Sequence, residues 1–163
     1  MTAVADRSGA VRLCSPLVGA ARRLGRAWGR VRRPADAILG LRVAAWLSAA
    51  AVLLKVLSPR TVLRMIGGRR RVTDIRWPEV DRVCAMVDAW IGVWPFRGRG
   101  RCLRRSLVLY RLLRAQGLDV GVELGVRRAG GRLAGHSWIT WRGAPLFEGL
   151  DPCQDFATMS HWS

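Results

Sequence analysis

Hydrophobic positions recur along this chain with two different periods, and the change from one to the other divides it. Up to Gln116 they fall at helical spacing, and from Val120 they fall every second residue. The longest apolar run covers residues 35–57 and stops at Ser58-Pro59, a helix-ending pair. Its length approaches the ~20 residues that cross a bilayer. Arg42 interrupts it, and a charge near the centre of a spanning helix costs ~2.5–3.5 kcal/mol, so the run reads as a buried or peripheral helix. A short helix over 61–66 precedes Gly67-Gly68. In residues 78–94, Val80, Val83, Cys84, Val87, Trp90, Ile91 and Trp94 share one helical face. Pro78 suits the first turn of that helix and Pro95 stops it. A fourth helix covers 102–116, with Cys102, Leu103, Ser106, Leu109, Tyr110 and Leu113 on one side. Arg104, Arg105, Arg111 and Arg114 take the other side, and Gly117 is the residue that ends it.

Val120, Val122, Leu124 and Val126 then alternate with Gly121, Glu123 and Gly125, as in a half-buried strand. Ala129-Gly130-Gly131 turns the chain into a second strand over 134–141. A turn near Arg142-Gly143 leads to a third over 145–148. Helices first and an antiparallel sheet afterwards make an α+β fold. A helical region (35–95) and a sheet-bearing core (96–163) form one domain, preceded by a basic, poorly ordered arm over 1–34.

Composition narrows the function. The chain has 163 residues, enough for one domain with a modest core, and a formal net charge of +17. Nearly all the positive charge is arginine, since Lys55 is the only lysine. Such a charge favours acidic partners. Arginine clusters at 22–33, 69–71 and 97–105 hold a single interleaved aromatic residue, Trp28, and not the series that base stacking uses, so nucleic acid is not an expected partner. The arm lacks the apolar core and small-residue cleavage site of a secretory signal. Cys14, Cys84, Cys102 and Cys153 show no CxxC spacing, which points away from a zinc ribbon or disulfide scaffold and towards a reducing, cytoplasmic compartment. His136 and His161 are the only histidines and have no metal-ligand spacing, so neither metal nor other cofactor is expected.

One set of residues suits nucleophilic acyl transfer. Cys102 opens a helix, where unpaired N–H groups and the dipole favour a thiolate, and Arg99, Arg101, Arg104 and Arg105 push the same way. His136 lies in the second strand on the same face as Trp138, whose indole can wall the site from water. A carboxylate must orient the imidazole. With a three-residue turn (Arg142-Gly143-Ala144), Trp138 pairs with Glu148 and the acid reaches His136. A two-residue turn pairs Ser137 with Glu148, sends the acid to the opposite face and brings Asp151 to the His136 face instead. Both acids stay open on this ground. Cys84 reads as a core thiol, and His161 as an inert residue in a tail.

The segments Cys102-Leu103-Arg104-Arg105-Ser106-Leu107, Gln116-Gly117-Leu118, Leu124-Gly125-Val126 and Gly135-His136-Ser137-Trp138, closing at Glu148, resemble the transglutaminase-like leader peptidases of lasso-peptide biosynthesis. The resemblance covers about residues 35–160 and implies a papain-like core in which a Cys-bearing helix packs on a small antiparallel sheet. It implies Cys102 as nucleophile, His136 as general base and Glu148 as third member, where that family usually has aspartate. Ser137 stands where alanine is common. The implied substrate is a precursor peptide, cleaved at its leader–core junction. The implied partners are a separate leader-binding protein and an asparagine-synthetase-like cyclase that acts next. Peripheral membrane contact through 35–57 is a further expectation. A transglutaminase-like acyl transferase, or a basic non-enzymatic protein, are the competing readings.

Overall fold

The computed structural model describes residues 34–67, 75–93, 100–148 and 152–162. Helix α1 (Pro34–Val56) leads through the Ser58 cap into α2 (Pro59–Ile66). The Ser58 side chain accepts a hydrogen bond from the Thr61 amide at 3.2 Å, satisfying one of the helix's first free donors. Helix α3 (Trp77–Val93) follows, with its apolar stripe of Val80, Val83, Cys84, Val87 and Ile91 buried. Arg82 on α3 pairs with the buried Asp36 of α1 and ties the two helices together.

Helix α4 (Arg101–Ala115) is the centre of the molecule. One side faces α1 and α3 and the other faces the sheet, so Leu107, Val108 and Leu112 are buried as well as Leu109 and Leu113. The two-sided wheel expected for this helix is thus wrong. Arg111 and Arg114 do not face open water: Arg111 lies 5.1 Å over the Trp46 ring and Arg114 5.1 Å over the Tyr110 ring.

The sheet has four strands in the order β3-β2-β1-β4. Strand β1 (Val120–Ala129) pairs antiparallel with β2 (Arg132–Trp141) through a Gly130-Gly131 turn, with Gly125 opposite His136. Strand β3 (Ala144–Leu146) pairs with β2 only at Ile139–Trp141. It is shorter than the expected 145–148 strand. A short helix α5 (Pro152–Asp155) and an edge strand β4 (Ala157–Trp162) complete the chain, β4 pairing with β1. The segment read as a tail is therefore part of the sheet, and His161 sits 3.2 Å from Glu123 on β1. Its pattern, ATMSHW, carries no clean alternation, which is why periodicity does not find it. The arm over 1–33, the Arg97-to-Arg99 stretch, Pro95 and Asp151 lie outside the described residues.

One apolar core joins helices and sheet: Val43, Leu47, Val62, Val87, Leu107, Leu109, Leu113, Val120, Val122 and Ile139 are wholly buried in it. The architecture is the α+β arrangement that the change of period implies.

Candidate active site

Cys102 occupies the first turn of α4. The residue before the helix is Gly100, with φ of +82° and no side chain to cap the free amides. Among the described residues no side chain caps those N–H groups, and such amides favour an anion at the helix start. β3 leaves the edge of β2 uncovered beyond Ile139, and there Cys102 meets His136 and Ser137.

Burial works against the Cys102 thiolate, but hydrogen bonds from His136 and Ser137 and the His136 charge outweigh it and bring the thiol down to about 7. His136 moves the opposite way. Its hydrogen bonds to Cys102 and Glu148 overcome burial and raise it to about 9. Between those two values the stable form of the pair is thiolate and imidazolium. The arginines expected to lower the thiol are not its cause: Arg105 is turned to two carboxylates instead.

The turn on which the place of Glu148 depended is described by the register of β2 and β3. Trp141 pairs with Ala144, so the turn is the two-residue one, with Arg142 and Gly143 at φ of +52° and +79°. That register alone would carry Glu148 to the wrong face. Strand β3 ends at Leu146, however, and Phe147 adopts φ of +60°. This left-handed residue breaks the alternation of the strand. Glu148 then stands 3.4 Å from His136, Oε2 to Nε2. With Nε2 directed at the carboxylate, Nδ1 is the nitrogen left for the thiolate.

Arg105 holds that twist in place. It donates from Nη1 to Glu148 Oε1 at 2.9 Å and from Nη2 to the Phe147 carbonyl at 3.3 Å. From Nε it donates to Asp88 Oδ1 at 2.6 Å. Arg105 and both carboxylates are largely shielded, so the planar fork and its two partners form one bridged unit between α3, α4 and the end of β3. Helical periodicity placed Arg105 on a polar face and gave no sign of this. The one available signal is that it stands three residues beyond Cys102 and so faces nearly the same side of the helix.

Aromatic rings close the other side. Trp138 is wholly buried and stacks on the His136 ring at 5.9 Å, and Phe156 tilts against it at 5.3 Å. Gly125 makes room for both: a Cβ there would lie 2.8 Å from the Trp138 ring and 2.9 Å from Phe156. A glycine inside a strand is the sequence signal for such a close approach. Beneath the site, the hydroxyls of Ser106 and Ser137 are buried and 3.3 Å apart. Ser137 thus takes part in holding Cys102, which the substitution of serine for alanine does not suggest by size alone. Among the described residues no group of three or more His, Cys, Asp or Glu is placed to hold a metal ion.

Comparison with known proteins agrees with this geometry at the level of the superfamily. No curated protein and no solved structure gives a significant match. A family model does, over residues 44–161, a span that takes in the later part of α1, the Cys102 helix and the sheet into its last strand. By that match the chain belongs to the transglutaminase-like superfamily.

Proposed function

We propose that this protein is a cysteine peptidase that removes the leader from a ribosomally made precursor peptide during lasso-peptide maturation. The observation that supports cysteine acyl chemistry is the paired displacement of Cys102 to about 7 and His136 to about 9, with Glu148 on the far side of the imidazole; the precursor substrate rests on the sequence resemblance. A structural cysteine and histidine have no need of an orienting carboxylate.

In this mechanism the Cys102 thiolate attacks the carbonyl carbon at the leader–core junction. The negative charge that develops on the oxygen is met by free amides of the first turn of α4, the Cys102 N–H among them. Collapse breaks the C–N bond, and the proton on imidazolium His136 passes to the departing amine of the core peptide. The leader remains as a thioester on Cys102. Neutral His136 then takes a proton from water, the hydroxide attacks the thioester, and the leader leaves with a free carboxylate. Glu148 keeps the ring oriented and Arg105 keeps Glu148 in place.

The partners follow from the same reading. A separate leader-binding protein would deliver the precursor, and an asparagine-synthetase-like cyclase would join the freed α-amine to a side-chain carboxylate. The net charge of +17 suits an acidic leader or an acidic face on the delivering protein. Incubation of the protein with a precursor and its leader-binding protein, read by mass spectrometry, tests the proposal. Leader with a free carboxylate and core with a free amine are expected, and Cys102→Ala should yield neither. An amide-linked product would instead assign the superfamily's acyl-transfer chemistry, and unchanged turnover in Cys102→Ala would overturn both.

A further inference from the structure

The side of α1 turned away from the core is apolar, although it meets no other part of the described chain. The most hydrophobic 18-residue stretch of the helix has a mean hydropathy of 2.0, yet only 22% of it is buried. A core helix of that composition would be mostly covered. Ile38, Leu41, Val52 and Val56 are 61%, 72%, 62% and 75% exposed. At 100° per residue they and the exposed Ala45 fall within about 60° of one another on the helix surface. Lys55 borders this stripe on one side and Arg42 on the other, both exposed. The opposite side, with Val43, Leu47 and Ala50, is locked into the core.

We propose that this face of α1 lies in the headgroup region of an anionic lipid surface, with Leu41, Val52 and Val56 inserted and Arg42 and Lys55 against phosphates. An apolar stripe rimmed by cations is the arrangement that interfacial helices use: the stems of the cations follow the apolar surface and their charges reach the headgroups. Spanning is excluded by the buried side, because Val43 and Leu47 cannot leave the core without unfolding it. The helix therefore lies along the surface. Charge argues for lipid over a second copy of this chain, since two such faces would bring Arg42 and Lys55 of each copy together at a net charge of +17 per chain. The approach to the helix strengthens the point. Six arginines stand between Arg22 and Arg33, and no acidic residue lies between Asp6 and Asp36. A basic cluster that precedes an apolar helix in sequence is what anionic lipid attracts. The proposal does not depend on the Cys102 chemistry.

Co-sedimentation of the full chain with phosphatidylglycerol–phosphatidylcholine vesicles, and with phosphatidylcholine vesicles alone, tests it. Binding to the anionic vesicles that weakens with added salt is expected, with little binding to the neutral ones. Leu41→Glu/Val52→Glu should lower the partition coefficient about tenfold or more, since one inserted side chain is worth roughly that factor. Both positions are exposed, so the variant should keep wild-type Cys102 alkylation, which serves as the folding control. A variant that binds as wild type would show that the basic arm alone supplies the attraction and would overturn the proposal. So would failure of the wild type to bind anionic vesicles. Light scattering that finds a wild-type dimer and a monomeric Leu41→Glu/Val52→Glu variant would overturn it as well, assigning the face to a second copy.

Discussion

The pairing of Cys102 with His136 can be broken with one substitution and read at one sulfur atom. In His136→Ala the thiol loses its largest stabilising hydrogen bond and the neighbouring positive charge, while the burial that opposes ionisation stays. With the thiol at about 7, half of it is thiolate at pH 7. An ordinary thiol at ~8.5 is ~3% ionised there, so the thiolate population drops about fifteenfold. The remaining thiolate is more basic and intrinsically more reactive, which returns about fivefold at a Brønsted slope of ~0.4–0.5. The net loss of alkylation rate at pH 7 is then only about threefold. The midpoint of the rate–pH curve is the sharper readout: it should move from about 7 in the wild type up by at least ~1.5 units. Iodoacetamide pulses from pH 5.5 to 10, with peptide mass spectrometry separating Cys102 from Cys84 and Cys153, give that curve. A wild-type midpoint at the free-thiol value, or a midpoint that His136→Ala leaves in place, would refute the ion pair.

Further outcomes follow from the same geometry. Peptide cleavage should show a bell-shaped pH profile with limbs near 7 and 9, because the thiolate forms through the first and imidazolium is lost through the second; alkylation, which needs no proton from His136, should rise through 7 and then stay flat. Glu148→Gln removes a hydrogen bond and a charge that raise His136, so the alkaline limb of cleavage should shift to lower pH while the protein stays folded. Arg105→Met leaves Asp88 and Glu148 facing each other without their shared cation; a loss of about 2–3 kcal/mol in urea unfolding is expected, less than the ~3–5 for a fully buried pair, and Arg105→Lys should restore part of the stability with little of the cleavage. Gly125→Ala should cost about 1–3 kcal/mol by overpacking against Trp138 and Phe156 and should change the tryptophan fluorescence. Ser137→Ala should raise the Cys102 midpoint by less than His136→Ala does, since His136 contributes the larger hydrogen bond.

How much of this was legible beforehand depends on how local each feature is. Apolar spacing is set within one element, so the four helices, the first two strands, and the position of Cys102 at a helix start all follow from the order of residues. That Cys102 lies beside His136 was also legible, since the chain has only two histidines and only His136 falls in a segment whose own alternation reads as a strand. The acid did not follow. Register reasoning made Glu148 depend on a three-residue turn, and the protein uses the two-residue turn and still presents Glu148 to His136. The reason is Phe147, held in a left-handed conformation that costs ~1–3 kcal/mol on its own. It is kept there by Arg105, which binds its carbonyl and the Glu148 carboxylate together. Arg105 in turn is anchored by Asp88, 17 residues earlier on another helix.

The same division holds elsewhere. β4 is a strand because β1 offers it an unpaired edge, and nothing in its own alternation says so. The four-residue spacing of Ser106 from Cys102 puts both on one helix face, but only the docking of α4 against β2 brings the Ser106 hydroxyl to Ser137. The hydrophobicity of α1 was plain from its composition, and which half of it meets the core was decided by the packing of α3 and α4. Secondary structure and the chemical types at the site are thus written in short-range order. Which carboxylate serves the histidine, what clamps it and which apolar face stays open depend on contacts between residues far apart in the chain, and only folding brings them together.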